Sequence, residues 1–379
     1  MGCYITGFGM RSSLGGSVEE VAQRVACLDE DSYEKEIRTL RHHETCYAMP
    51  TPHLSAREKF YGVIEEEVRK VIETAGLSAR ECEELAIFIG STSMSMSVHE
   101  AAYEARIALG EEGACEHLGY GHLGTFVEGI VGSRRKTVLF STACTSSANA
   151  LCYGAKMLRQ GAIKRALVLG IELFNRATFE GFSSLLLLSK EGMYRPFDHR
   201  SDGIILGEGC SVLLLETHPR HEDDFYYMGS ASNCDSTSET TSDPSGIPIF
   251  EAMHGALEDA GIALGAVDAI KAHATGSENN TVSEVNALLK LFHTHGCTPP
   301  VTAMKPFLGH TLGASGTNEI ALLLACAKQG FVPPVFGFKV PMLDFTPLTT
   351  PLKDLKKATF LFNFVAFGGS NTAIVLSNQ

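Results

Sequence analysis

The chain has 379 residues, 44% of them hydrophobic, with 37 glycines, no tryptophan and a formal net charge of −13. This is the composition of a soluble globular protein with a large core; it offers no broad basic face for nucleic acid and no apolar run near the roughly 20 residues that span a bilayer. Its 11 cysteines, an odd number scattered without a CxxC, fit neither a disulfide framework nor a zinc site, and agree with a reducing, cytoplasmic setting.

In chain order, the N-terminal "MGCYITGFGM" has no basic segment leading into a long apolar one, so a secretory signal is not expected. Gly2 and Thr6 stand at the offsets of an acylation motif, but "CYITGFG" reads better as a buried first strand and turn. A helix is predicted from Ala56 to Gly76, because Phe60, Val63, Ile64, Val68 and Ile72 share one face. Short apolar runs near Ile87, Leu139, Val168 and Leu213 read as buried strands with helical stretches between them. After the polar "ETHPRHEDDF", the stretch Asn233 to Gly246 reads as a loop rich in Ser, Thr and Asp. Further strands are expected near Ile270, Phe362 and Ile374. Alternating strands and helices predict an α/β fold. A weak repeat aligns "STACTSSANALCYGAKMLRQG" with "PFLGHTLGASGTNEIALLLACAKQG", placing Cys144 opposite Gly313. Two similar halves are therefore expected, residues 1–218 and 219–379.

Four places could carry chemistry. Cys144 sits where the strand near Leu139 gives way to a helix starting near Thr145, whose inner face is Ala148, Leu151, Ala155 and Leu158. The helix dipole and free N–H groups there would favour a thiolate and hold an oxyanion, although a free cysteine is equally at home as a small buried hydrophobe. His273 ends a strand, with the Thr275 and Ser277 hydroxyls following it, and His310 lies five residues after Lys305 in a Gly-rich loop. Each, alone, also suits a structural histidine. Glu284 falls on the helix after His273, where a solvated charge is the simpler reading. In "FVAFGGSNTAIVL", adjacent glycines allow positive φ and close backbone approach, and a plain hairpin turn is the competing reading.

Taken together and in order, "ITGFGMRSSLG", "TACTSSANAL", "YRPFDHRSDGIILGEGCSVLLLE", "AHATGSENNTVSE", "KPFLGHTLGASG" and "FGGSN" resemble the elongating β-ketoacyl-acyl-carrier-protein synthases of the thiolase fold, over nearly the whole chain. The resemblance implies two α/β halves stacked in five αβαβα layers. It makes Cys144 the acyl-accepting nucleophile, His273 and His310 the pair acting on a malonyl unit, Lys305 the lysine organising that site and Glu284 the acidic residue behind it. Phe367, with Gly368 beside it, would form the gate whose N–H joins that of Cys144 in the oxyanion hole. Thr275 and Ser277 would touch the phosphopantetheine arm, and Phe182 would shape the acyl pocket. His310 stands where the initiating relatives carry asparagine, which favours elongation. Thr281 stands where the family usually has aspartate, Val365 and Ala366 replace Phe-Gly before the gate, and the loop "KEGM" is short. These departures point to a specialised substrate or an altered gate.

The implied reaction is a decarboxylative Claisen condensation through a Cys144 thioester, in fatty-acid or polyketide-type elongation. It calls for no metal or nucleotide, and the phosphopantetheine belongs to the carrier protein. A dimer is implied, either of identical chains or with a chain-length-type subunit. A subunit dependent on such a partner and a thioester hydrolase are the alternatives. Because acyl carrier proteins are acidic, a local basic patch is expected: Arg195 and Arg200 first, then Lys164 and Arg165, with an internal salt bridge as the competing reading of Arg200.

Overall fold

The computed structural model describes the chain apart from residues 30–31, 34–40, 44–45, 52–53 and 111–118. Ten strands form its main sheet: β1 (Tyr4–Ser12), β2 (Ala86–Gly90), β3 (Val138–Phe140), β4 (Arg165–Glu172), β5 (Gly209–Glu216), β6 (Phe225–Cys234), β7 (Ala269–Lys271), β8 (Val301–Thr302), β9 (Thr359–Val365) and β10 (Ser370–Ser377). The first five run in the order β3-β2-β4-β5-β1, and the last five in the order β8-β7-β9-β10-β6. Chain order therefore maps onto sheet order identically in both sets. Directions repeat too: β2 is parallel to β3 and β4, as β7 is to β8 and β9, while the remaining pairs are antiparallel. Among the described residues, strands of the two sets pair only where β1 meets β6, through Tyr4↔Tyr226 and Ile5↔Phe225.

The main helices on these sheets are α1 (Val18–Cys27), α2 (Ala56–Thr74), α3 (Gly121–Val131), α4 (Ser146–Arg159), α5 (Ile247–Ala260), α6 (Glu278–His295) and α7 (Ser315–Lys328). The helices α2 and α3 pack on the outer face of the first set, in a core holding Phe60, Val127 and Leu169. The helices α5 and α6 cover the outer face of the second, around Met253, Leu288 and Leu361. Between the sets lie α4 and α7, in a core that joins Leu151 and Leu323 to strand residues of both halves. The result is the five-layered, thiolase-like αβαβα arrangement. Strands covered on both faces need no polar side, which is why β4 reads "RALVLGIE" with its last seven residues buried.

A capping box at Ser55 and Glu58 starts α2. Its inner face is the predicted one, except that Val71 is buried where Ile72 is only half-buried, and Glu67 is fully buried. The stretch expected as a loop from Asn233 begins a little later, because Asn233 and Cys234 still pair in β6.

Candidate active site

The site forms where α4 begins. Between β3 and α4 the chain turns through Ala143 at φ 50°, a left-handed value that an alanine adopts only under local constraint. The constraint is visible. The Ser146 hydroxyl donates to the Ala143 carbonyl at 2.6 Å and accepts from the Thr142 N–H at 2.9 Å, and the Thr92 hydroxyl donates to the same carbonyl at 3.3 Å. Close packing adds to it. A Cβ on Gly90 would lie 2.2 Å from the Ser147 nitrogen, and one on Gly316 would lie 2.2 Å from the Ala148 nitrogen, so both flanks of the α4 start admit only glycine. Cys144 follows the turn with Thr145 as the helix cap, so it stands at the helix start as expected.

Two histidines face it. His310 Nε2 lies 3.1 Å from Cys144 Sγ, its Nδ1 lies 3.2 Å from Ser315 Oγ, and the His273 and His310 rings are 5.3 Å apart at 85°. Lys305 Nζ reaches the His273 carbonyl at 2.6 Å, Glu319 Oε1 at 2.6 Å and His273 Nδ1 at 3.1 Å. An ammonium has three donors and no lone pair. Nδ1 of His273 must therefore accept, which leaves the ring proton on Nε2 as a donor. Glu284 is buried, not solvated, and the carboxylate paired with Lys305 is that of Glu319. Glu284 accepts the His273 and Ala274 N–H groups at 2.6 and 2.7 Å and the Asn363 amide at 2.7 Å, so it fixes the backbone that carries His273.

Burial sets the protonation states. Desolvation, aided by the Lys305 charge, holds both histidines well below the usual imidazole range. Desolvation also pushes the Cys144 thiol up to about 12, against the lowering effect of Lys305 and of a hydrogen bond from the Phe367 N–H. Desolvation thus works against the resting thiolate that the helix start was expected to favour, and leaves a thiol beside a neutral imidazole.

A cavity of about 460 Å³ opens from Cys144, His273 and His310. One wall is apolar, with Phe182, Leu187, Ile204, Val365 and Phe367; another carries the Thr275 and Ser277 side chains. Phe182 and Phe367 stack with centroids 5.7 Å apart and rings 14° from parallel. The segment before "GGSN" is indeed a hairpin connection, since β9 and β10 pair antiparallel around it, and the same turn presents Phe367 to the cavity. Gly368 and Gly369 take φ of 75° and 80°. Ala366 is extended, at φ −134° and ψ 151°, a conformation that carries no penalty for its Cβ. Thr281 is buried and donates from its hydroxyl to the Ser277 carbonyl at 2.8 Å.

The basic residues proposed for docking are largely engaged. Arg200 forms a two-pronged pair with the buried Asp198, both contacts 2.8 Å, and also donates to the Gly337 carbonyl at 3.2 Å. Arg195 is mostly buried and paired with Glu191 at 2.6 Å. Neither is a free surface cation, because each neutralises a carboxylate of its own segment. Arg165 pairs with Glu81 and Glu216, both at 2.6 Å, and lies with the exposed Lys164 in a separate pocket that none of the catalytic candidates lines.

Several residues of the site escaped the sequence reading: Glu319, Lys271, Asn363, Ser315, Glu172 and the Thr240–Ser242 stretch lining the cavity. Two of them left a signal. Glu319 is the one carboxylate in "SGTNEIALLLACAK", and Lys271 interrupts the apolar run "DAIKAHAT". A charge inside an apolar element needs a buried partner.

Models of the β-ketoacyl synthase N-terminal domain and of its C-terminal domain match residues 58–221 and 226–339. The chain belongs to the β-ketoacyl synthase family and is a condensing ketosynthase, an enzyme of the acyltransferase type. A 3-oxoacyl-[acyl-carrier-protein] synthase 2 of Coxiella burnetii is 26% identical, over 98% of this chain and 97% of its own length. Among solved structures, the ishigamide ketosynthase/chain length factor is 25% identical with a TM-score of 0.80, over 99% of this chain and 98% of its own. The ketosynthase ApeO, in complex with its chain length factor ApeC from Xenorhabdus doucetiae, shares the fold at 24% identity and a TM-score of 0.80, over 99% and 98%.

Proposed function

We propose that the chain condenses an acyl group held on Cys144 with a malonyl unit on acyl carrier protein, and that Cys144, His273 and His310 are its catalytic residues. The observation that carries this reading is their convergence on one cavity, with Sγ 3.1 Å from His310 Nε2 and the two imidazoles 5.3 Å apart. Cys144 Sγ gives up its proton towards the carrier's sulfur as it attacks the acyl thioester, and the histidines keep their ring protons for the malonyl step. The N–H groups of Cys144 and Phe367 receive the oxyanion, and the carrier's sulfur leaves with the cysteine's proton. Malonyl-carrier protein then binds. Its bond to the carboxyl group breaks, CO₂ departs, and the electron pair enters an enolate whose oxygen accepts hydrogen bonds from the histidines. The carbanion attacks the Cys144 thioester, a carbon–carbon bond forms, the carbon–sulfur bond breaks, and the Cys144 thiolate released takes up a proton from solvent.

Lys305 holds His273 as an Nε2–H donor, Glu284 holds its backbone, and Gly368 supplies the turn beneath the Phe367 gate. Thr275 and Ser277 line the path of a phosphopantetheine arm that belongs to the carrier, and Phe182 bounds the acyl chain. The repeated strand order supports a division into halves at 218/219. A cytoplasmic dimer completes the reading, formed by two copies or with a chain-length-type subunit of the kind named in two of the similar structures. Mass analysis of products from acyl- and malonyl-carrier protein tests it. A β-ketoacyl-carrier protein is expected; free acid alone would assign a hydrolase, and product only with an added chain-length subunit would assign a dependent partner.

A further inference from the structure

Glu319 is shared. Its Oε1 receives Lys305 at 2.6 Å and its Oε2 receives Lys271 at 2.6 Å, with all three side chains fully buried. Lys271 also lies 3.6 Å above the Phe364 ring. Each oxygen of Glu319 serves one ammonium, so Lys271 has no carboxylate of its own, and the buried Glu284 is a further negative charge that acts on it. Burying a lysine fully is costly, and Lys271 sits on β7 two residues before His273.

We infer that Lys271 is a positioning residue of the malonyl half-reaction: through Glu319 it fixes the lysine that orients His273, and it places a second cation behind both histidines. The inference rests on the proposed role of His273 and His310 in decarboxylation. Its geometry is a chain of contacts. Lys271 pins one carboxylate oxygen, so the other meets Lys305 at a set angle, and the remaining Lys305 donors meet the His273 carbonyl and Nδ1. The charged groups that act on Lys271 are Glu319, Lys305 and Glu284. Its own charge and that of Lys305 both act to keep His273 and His310 neutral. A neutral ring with its Nε2 proton in place donates to an enolate, and a cation behind the rings favours the negative charge that develops there.

The test uses the full chain with malonyl-loaded carrier protein and follows CO₂ release against pH, alongside Cys144 acylation by acyl-carrier protein. Lys271→Met should lower CO₂ release about tenfold at pH 7 and move the acid limb up by about one pH unit, because histidines relieved of a nearby cation protonate sooner. Acylation should keep its wild-type rate. Lys271→Gln still donates to Glu319 but carries no charge, so it should move the limb with a smaller loss of rate; it carries the test alone if the Met variant does not fold. Lys271→Arg should return the limb toward wild type. Met and Gln variants with a wild-type limb and rate would overturn the inference, as would equal losses in both half-reactions without movement of the limb. If instead His310→Ala released CO₂ at the wild-type rate, the decarboxylation reading itself would fall, a result distinct from any Lys271 outcome.

Discussion

At the scale of single residues, burial decides the chemistry. Cys144 meets His310 as a thiol, so nucleophilicity must arise by proton transfer when substrate arrives. An ultraviolet difference titration at 240 nm between the wild type and Cys144→Ala should show no thiolate from this residue below about pH 9, the usual thiol value or above. The sign follows from burial: a raised value means the proton is held in the fold more tightly than in the unfolded chain. A thiolate step near pH 7 would restore the helix-dipole reading. Arg200 makes a second prediction. Asp198 is buried and held well below the usual carboxylate range by Arg200 and by the Arg200, Lys339 and Val340 N–H groups. Arg200→Glu should therefore cost on the order of 2–3 kcal/mol of stability, since it leaves a buried carboxylate without its cation while Arg200 itself is part-exposed. Urea unfolding would show the loss. Activity toward carrier-bound and small pantetheine thioesters should fall alike, whereas a selective rise in KM for the carrier would return Arg200 to the docking patch.

At the scale of elements, the turn between β9 and β10 governs access. Ala366 N–H donates to the Ser370 carbonyl at 2.9 Å and Gly368 N–H to the Glu239 carbonyl at 2.8 Å, so the gate is tied both to its own hairpin and to the loop after β6. A Cβ on Gly369 would lie 1.7 Å from the Asp235 carbonyl, so that glycine is required by close approach. Ala366→Gly should loosen the segment ahead of Phe367 at a cost of about 0.5–1 kcal/mol. Acylation by bulky or long acyl-carrier proteins should then speed up relative to short ones, measured as the ratio of kcat/KM values; an unchanged ratio would place selectivity elsewhere. Much at this scale is legible from sequence. The strand runs and the α2 and α4 faces follow periodicity, and Cys144 at the α4 start follows from "TACTSS". What was illegible depends on long-range pairing. Nothing near Glu284 says that its carboxylate lies under the His273 backbone, and nothing near Arg200 says that Asp198 is buried beneath it.

At the scale of the whole molecule, two copies of one strand order enclose a central pair of helices, and the site lies where α4 of the first half meets the histidine-bearing loops of the second. The repeat was visible in sequence only as a faint echo around Gln-Gly ends. Its confirmation needed the sheet order, because small residues in loops carry little pattern. The buried neutral histidines add a pH dependence. With folded values below the unfolded value of about 6.5, their contribution is present above that pH and is lost as pH falls through it, since the unfolded chain binds the protons first. The urea midpoint should therefore drop on acidification below about pH 6.5, and less steeply in a His273→Gln, His310→Gln double variant; identical slopes would assign the loss to other groups. That Cys144 carries the acyl chain while His273 and His310 serve the malonyl unit is tested most directly by intact-mass measurement of wild type, Cys144→Ala and His310→Ala after exposure to acyl-carrier protein, paired with CO₂ release from malonyl-carrier protein. The expected result is an acyl mass gain on wild type and His310→Ala, none on Cys144→Ala, and CO₂ release largely lost in His310→Ala. Acylation retained by Cys144→Ala, or wild-type CO₂ release by His310→Ala, would contradict it.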